Sequence, residues 1–331
     1  MEGMEEGLRR NVAPGGRLSN MIRYLKHKEI DKARWDDCIV RSVNRRVYAF
    51  SWYLDIVCPG WDALVGEDYT YVFPLTYRRK WGISYLCQPF FAQQLGLFSQ
   101  NLLSASLVKE YIDAIPPEFR FIEIHLNSMN KILPEGVEVI PRINHELDLI
   151  LLHEQLFNNY AQNTRRNIKK AHENDVTIGR KLEADELITL FSENYGRKEG
   201  MLKFQHYETI RNLIQHCQKE NRGHILGAFN NSGLLSAAAF FLKDESRIYY
   251  LFAASAPDAR ENGAMFMLID HFLRENAGQP VTLDFEGGND PNLGRFYKSF
   301  GAAEVPYPMV RVNRLPGMVT QGLYFVRRLR G

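Results

Sequence analysis

The chain has 331 residues, 45% of them hydrophobic and 24% charged, with a formal net charge of +2. That length allows two domains of roughly 150 residues each, and the composition excludes a disordered chain. Near-neutrality gives no overall argument for nucleic acid, and DNA is not an expected partner.

Residues 1–20, MEGMEEGLRRNVAPGGRLSN, have no apolar core and do not read as a signal peptide. They read as a disordered lead, or as sequence upstream of a true start at Met21. From Met21 the pattern alternates. Met21–Leu25 predicts a strand, Glu29–Arg41 and Tyr48–Val57 predict helices, and WDALVG, YTYVFPLTY and ISYLCQP predict strands. Leu102–Ile115 predicts a helix, FRFIEIHL (Phe119–Leu126) a strand of period two, and VEVIPRINHELDLI a long strand that closes residues 21–150.

Residues 151–315 repeat the rhythm. Asn163–Asn174 predicts a helix, VTIGRKL a strand, and Ala184–Glu199 and Gln205–Lys219 two helices. GHILGAF, LLSAAAFFLKD and RIYYLFAAS predict three successive strands joined by polar turns. Asp258–Asn276 predicts one long helix, PVTLDFEG a strand, Asn292–Phe300 a short helix and AEVPYPMVRVN a last strand, with 316–331 as a tail. The fold class expected is α+β (α/β), with two matching units, each a mixed, mostly antiparallel sheet flanked by helices. In the first unit the helix between the last two strands is much reduced.

Four cysteines, Cys38, Cys58, Cys87 and Cys217, stand far apart without a C-x-x-C pair, which suits a reducing cytoplasm and argues against a thiolate zinc site. The longest apolar stretch, Leu234–Leu242, is shorter than the roughly 20 residues a membrane span needs. The histidines are dispersed without H-E-x-x-H, and no G-x-S-x-G or P-loop is present, so no catalytic metal, nucleophile elbow or P-loop is expected.

The order of elements resembles the GNAT acyltransferase fold used twice, and the tandem arrangement resembles the FemAB-like group. Phe296-Tyr297-Lys298-Ser299-Phe300-Gly301-Ala302 is similar to the Y-x-x-x-G-F ending of a GNAT domain. NTRRNIKKAHENDVTI is similar to the basic R-x-x-I-x-K-A helix of FemAB-like proteins, with Arg165, Ile168, Lys170 and Ala171 at the matching positions. The resemblance implies an N-acyltransferase with no permanently bound cofactor, whose co-substrate is an acyl-CoA or an aminoacyl-tRNA. Its acceptor would be a small-molecule or cell-wall-precursor amine. No stretch sustains three heptads, so the coiled-coil arm of tRNA-using relatives is missing and acyl-CoA is favoured over tRNA. A non-catalytic binding protein on the same fold is the reading from another class.

The candidate site residues follow. Arg260 and Gly263, in RENGAM, stand where the resemblance places the donor's pyrophosphate, with Met265 at the last small position of that pattern. Asp284 and Glu286, two apart on a strand, are expected to share a face and manage the acceptor's proton, or to cap the turn that follows. Tyr297 is the expected acid for the leaving group, against a packing role. Lys298 is set to neutralise a carboxyl or phosphate, or to sit on a solvated helix face. Arg165, Arg166, Lys169 and Lys170 form a phosphate-binding edge or a solvated face, stacking in pairs four apart.

Overall fold

The computed structural model describes residues 22–180, 182–196 and 202–315. The expected lead at 1–20, the tail at 316–331 and the end of the Ala184–Glu199 helix lie outside the described residues. The first half runs β1 (Arg23–Leu25), α1 (Lys32–Arg41), α2 (Ser51–Val57), β2 (Asp62–Gly66), β3 (Tyr71–Leu75), β4 (Tyr77–Lys80), β5 (Ile83–Cys87), β6 (Phe98–Ser99), α3 (Ala105–Asp113), β7 (Phe119–His125) and β8 (Glu138–Asp148). The second runs α4 (His153–Asn158), α5 (Gln162–Glu173), β9 (Thr177–Arg180), α6 (Ala184–Phe191), α7 (Phe204–Lys219), β10 (Gly223–Phe229), β11 (Leu235–Lys243), β12 (Arg247–Ser255), α8 (Ala259–Asn262), α9 (Ala264–Asn276), β13 (Thr282–Asp284), α10 (Pro291–Lys298) and β14 (Ala303–Asn313).

Local chemistry sets several boundaries. Asp31 caps α1 by accepting from the amides of Ala33 and Arg34, and Ser104 caps α3 through Leu107. The single helix expected over Asp258–Asn276 is two. Gly263 adopts a left-handed φ of 77°, ends α8 and starts α9, because a chain in that region cannot continue a right-handed helix. Helix α4, HEQLFN, has no expected counterpart. Its His153 reaches across to the buried Asp270 of α9, 2.8 Å away, so tertiary contact rather than periodicity holds it.

The strands form a four-stranded antiparallel sheet, β1-β2-β3-β6, and a ten-stranded mixed sheet, β4-β5-β7-β14-β8-β13-β12-β11-β10-β9. The large sheet is nearly symmetric about its middle. The parallel pair β5–β7 answers the parallel pair β12–β13. Between them the final strands of the two halves change places. β14 pairs with β7 of the first half, while β8 pairs with β13 of the second. β8 and β14 pair with each other over nine residues, Ala303 facing Glu146 and Arg311 facing Glu138. The boundary at residue 150 therefore falls in the connection that follows the exchanged strand β8.

The core follows the same union. One apolar cluster joins Trp35, Tyr53 and Leu54 of the first half to Ile210, Leu213, Phe240 and Leu251 of the second. A second lies under α9, where Phe241 stacks on Phe272 at 3.7 Å. No helix among the described residues is long and apolar enough to cross a membrane.

Arg45 also joins the halves. It grips both oxygens of Asp244, Nε to Oδ2 at 2.8 Å, and both side chains are largely buried. Removing one partner of such a pair leaves an uncompensated charge. Arg45→Ala should lower unfolding stability by about 3 kcal/mol, and Arg45→Ala with Asp244→Ala by less than the sum of the single changes. Urea denaturation of the four proteins measures this, and strict additivity would mean the pair holds nothing together.

Candidate active site

Strand β13 ends at Asp284, where its parallel pairing with β12 also ends, at Tyr249. β12 runs on to Ser255, so beyond Tyr249 the two strands part company. The site is built around this opening. Asp284 is fully buried. Its Oδ1 accepts from Asn144 Nδ2 at 2.8 Å and from the Glu286 amide at 2.9 Å. Its Oδ2 lies 3.7 Å from Arg247 Nη1, and Arg247 in turn stands 3.0 Å from Glu146 Oε1. Arg46 is 3.9 Å from the same glutamate.

The expected pairing of Asp284 with Glu286 on one strand face needs correction. The pleat stops at Asp284, and Glu286 takes a left-handed φ of 54°, held by its amide's bond to Asp284. The two carboxyls nonetheless remain within electrostatic reach of each other and of Tyr48. Nor do they cap the following helix. Asp290 caps α10, accepting from Asn292 and Leu293 at 2.7 and 3.2 Å.

Five polar atoms around Asp284 are buried without a well-formed hydrogen bond among the described residues: Tyr48 Oη, Asp284 Oδ2, Glu286 Oε1, and Glu146 Oε1 with Arg247 Nη1, which face each other as an ion pair. Orphaned buried polar groups cost stability and are rare in folded proteins. Burial, then the Asp284 charge, pushes the Glu286 carboxyl well above the usual carboxylate range, with the Tyr48 hydroxyl opposing. Burial and the Glu146 carboxylate raise Asp284, against Arg247, Arg46 and Asn144. Burial, then the Glu286 and Asp284 charges, holds the Tyr48 hydroxyl protonated.

Tyr297 is buried on α10 and stacks on Phe285 with ring centroids 4.6 Å apart. The packing role expected for it is present. Its hydroxyl also lies beside the 286–288 loop, 3.6 Å from where a side chain on Gly287 would begin. Burial, then the Glu286 and Asp290 charges, raises its pKa, so it stays a neutral donor. Gly288 is required here. Its φ is 141°, and a Cβ would fall 2.2 Å from Nδ1 of His145, which donates to the Gly287 carbonyl at 2.9 Å.

The other expected residues sit apart from this cluster. Lys298 pairs at the surface with Glu304 at 2.5 Å, which leaves it in the solvated-face role. Arg165, Arg166 and Lys169 are exposed on α5 and, with Gln162 and Asn163, line a depression of about 480 Å³. The expected stacking of cations four apart is not what holds them. Arg166 donates to Asn163 at 2.8 Å, and Lys169 pairs with Glu173 at 3.5 Å. Arg260 is exposed on the short α8 rather than at the start of α9, whose first amide is taken by Asn262 at 2.9 Å. Gly263 is explained by packing: a Cβ would lie 2.4 Å from the backbone oxygen of Asn167 on α5. That contact sets the Arg260–Gly263 segment beside the basic helix.

Sequence reasoning missed Arg46, Tyr48, Asn144, Glu146 and Arg247. Tyr48 stands at the start of the expected Tyr48–Val57 helix and is fully buried. For Asn144 and Glu146 the signal was N-H-E on a long strand, since consecutive polar residues on a buried strand need partners, and for Arg46 and Arg247 there was none.

Residues 158–299 match the family described as acetyltransferase (GNAT) domain. No curated protein matches the chain. Among solved structures, FemX superposes with a TM-score of 0.60 at 14% identity, covering 89% of this chain and 98% of FemX. A conserved protein of unknown function from Bacteroides thetaiotaomicron VPI-5482 gives 0.59 at 13% identity, covering 89% of this chain and all of that one, 100%. At such identities the likeness is one of fold. The parted strands and the matched domain define an acyltransferase. Residues 158–299 carry a GNAT-type acetyltransferase domain, and the chain shares the fold of FemX.

Two consequences are measurable. A buried carboxyl with a raised folded pKa contributes most to stability below its unfolded pKa, and that contribution is lost as pH rises through the folded value. Stability should therefore fall as pH rises above about 4.3, the ordinary glutamate value, and Glu286→Gln should flatten the slope by up to about 1.4 kcal/mol per pH unit. Urea midpoints across this range test it, and an unchanged slope would mean Glu286 titrates normally. Gly263→Ala should cost about 2 kcal/mol or more from its left-handed φ alone, read as a lower melting temperature. A neutral result would mean α5 does not rest on this loop.

Proposed function

We propose that the protein moves an acyl group from an acyl-CoA to an amine, at the opening between β12 and β13. The observation that carries this reading is the group of orphaned buried atoms, Tyr48 Oη, Asp284 Oδ2 and Glu286 Oε1, at the end of β13 in a GNAT-type domain. In the proposed step the amine nitrogen attacks the thioester carbonyl, the C–N bond forms and the C–S bond breaks. Glu286, in its ionised form, takes the first proton from the ammonium, its raised pKa making it a stronger base than an ordinary carboxylate, and once the C–N bond has formed the nitrogen passes its second proton to the Tyr297 oxygen. Tyr297, kept neutral, gives a proton to the departing thiolate. Backbone amides of β12 beyond Tyr249, which have no β13 partner, face the oxyanion. The donor's phosphates lie along the Arg165–Arg166–Lys169 depression, next to Arg260 and Gly263.

This reading treats 21–150 and 151–315 as two GNAT-like units that have exchanged their final strands, with the acceptor lying where the first unit covers the second. It places the enzyme in the cytoplasm, where coenzyme A is at hand. A tRNA-borne donor is the second reading, favoured by the exposed basic face of α5. It is the weaker of the two because the longest helix among the described residues, α7, has only 16 residues and provides no coiled-coil arm.

Calorimetric titration with acetyl-CoA should show binding that Arg165→Ala with Arg166→Ala weakens at least tenfold at low salt, and less as salt rises. Glu286→Gln and Tyr297→Phe should bind the donor as the unaltered enzyme does and lower kcat by about a hundredfold or more. Full turnover in both variants would remove the catalytic role from the Asp284–Tyr297 region. Binding of tRNA without binding of acetyl-CoA would select the second reading.

A further inference from the structure

The middle of the large sheet carries a polar row on one face. Residues two apart on a strand share a face, so Arg142, Asn144 and Glu146 of β8 stand in line. Across the strands, Tyr307 of β14 faces Arg142, Met309 faces His125 of β7, and Asp284 of β13 faces Glu146. The row thus runs from Asp284 toward the first half. Its charged members other than Arg142 each face an opposite charge, although Asp284 and Glu146 each keep one oxygen short of a hydrogen bond. Asn144 holds Asp284 and accepts from Gln93 Nε2 at 3.1 Å, Glu146 meets Arg247, and His125 meets the Gln93 carbonyl at 3.2 Å.

Arg142 is the exception. Among the described residues it has no carboxylate partner. Its Nε is buried with no hydrogen-bond partner, and its one polar contact is a weak one, Nη2 to Met309 Sδ at 3.8 Å. The residue as a whole is only half-buried, so part of it meets solvent. It stands two residues along β8 from Asn144, about 7 Å of strand, and next to Ile143, whose amide and carbonyl meet the side chain of Asn289 in the loop after Glu286. Burial, then the Arg142 charge, pushes the neighbouring His125 imidazolium down to about 4, so His125 stays neutral and adds no competing positive charge. A half-buried arginine without an anion is a fork waiting for a planar or tetrahedral oxyanion.

We infer that Arg142, with Tyr307 beside it, receives a carboxylate or phosphate carried by the acceptor, so that the acceptor is an anionic amine rather than a neutral one. The inference rests on the acyl-transfer reading for the word acceptor, and on Arg142 alone for the anion.

The test has two arms. In the first, inorganic phosphate and, separately, acetate are titrated into the full chain at constant ionic strength while the His125 ring resonance, assigned with His125→Gln, is followed by NMR. A saturable shift that Arg142→Gln abolishes and Arg166→Gln retains is expected. No shift, or the same shift in Arg142→Gln, overturns the inference. In the second arm, acetyl-CoA turnover is compared for lysine against cadaverine and for glucosamine 6-phosphate against glucosamine. The anionic member of at least one pair should show kcat/KM at least tenfold above its neutral partner, and Arg142→Gln should collapse that ratio while Arg142→Lys keeps part of it. The pair that responds tells carboxylate from phosphate. Turnover of neutral amines with no preference defeats the anionic acceptor and leaves acyl transfer standing. Anion binding through Arg142 without any turnover of acetyl-CoA defeats the acyl-CoA reading instead.

Discussion

The pairing of β8 with both β13 and β14 is the constraint on which the rest of the molecule depends. An antiparallel ladder fixes register, and a slip of one residue would turn every side chain to the other face. Because Glu146 faces Asp284 and Asn144 bonds to it, the first half of the chain supplies the groups that hold the second half's carboxylate in place. Exchange of the final strands therefore makes the site a joint product of both halves. Neither half alone would carry both Asp284 and its partners.

The energetic character of the site follows from that arrangement. Two arginines and three carboxyl groups, Arg46, Arg247, Glu146, Asp284 and Glu286, are brought together in a largely buried region beside the buried rings of Tyr48 and Tyr249. Desolvation of such a group is expensive and is repaid only where geometry is good. Here it is incompletely repaid, since Asp284 and Glu286 each keep an oxygen without a hydrogen-bond partner among the described residues. The apolar clusters that span both halves stabilise the molecule elsewhere and offset this cost.

Much of the fold was legible in the sequence because its strands and amphipathic helices are strongly periodic. GHILGAF, RIYYLFAAS and AEVPYPMVRVN coincide with β10, β12 and β14. The break at Gly263 was not legible, because a glycine inside a helical pattern is usually tolerated, and only the approach of Asn167 shows why it ends α8. The strand exchange was not legible either. It pairs residues more than a hundred positions apart, and local pattern carries no information on partners. For the site, the sequence pointed to Asp284, Glu286 and Tyr297 as chemistry-bearing residues on one strand–loop–helix segment. It could not point to Arg46, Tyr48 or Arg247, since their proximity is created by long-range packing. Lys298 shows the opposite failure. Its place in a family-like segment suggested a site, and its partner Glu304 lies on a strand whose position the motif did not reveal.

The central claim is that Glu286 is a buried carboxyl made basic by its surroundings. The most direct measurement is the titration of its side-chain carboxyl carbon by NMR in selectively ¹³C-labelled protein, assigned with Glu286→Gln. The account predicts a midpoint well above the ordinary glutamate range, moving down when Asp284 is replaced by asparagine, because the one charge that raises it is gone and burial alone remains. A midpoint within the ordinary range, unmoved by Asp284→Asn, would contradict it.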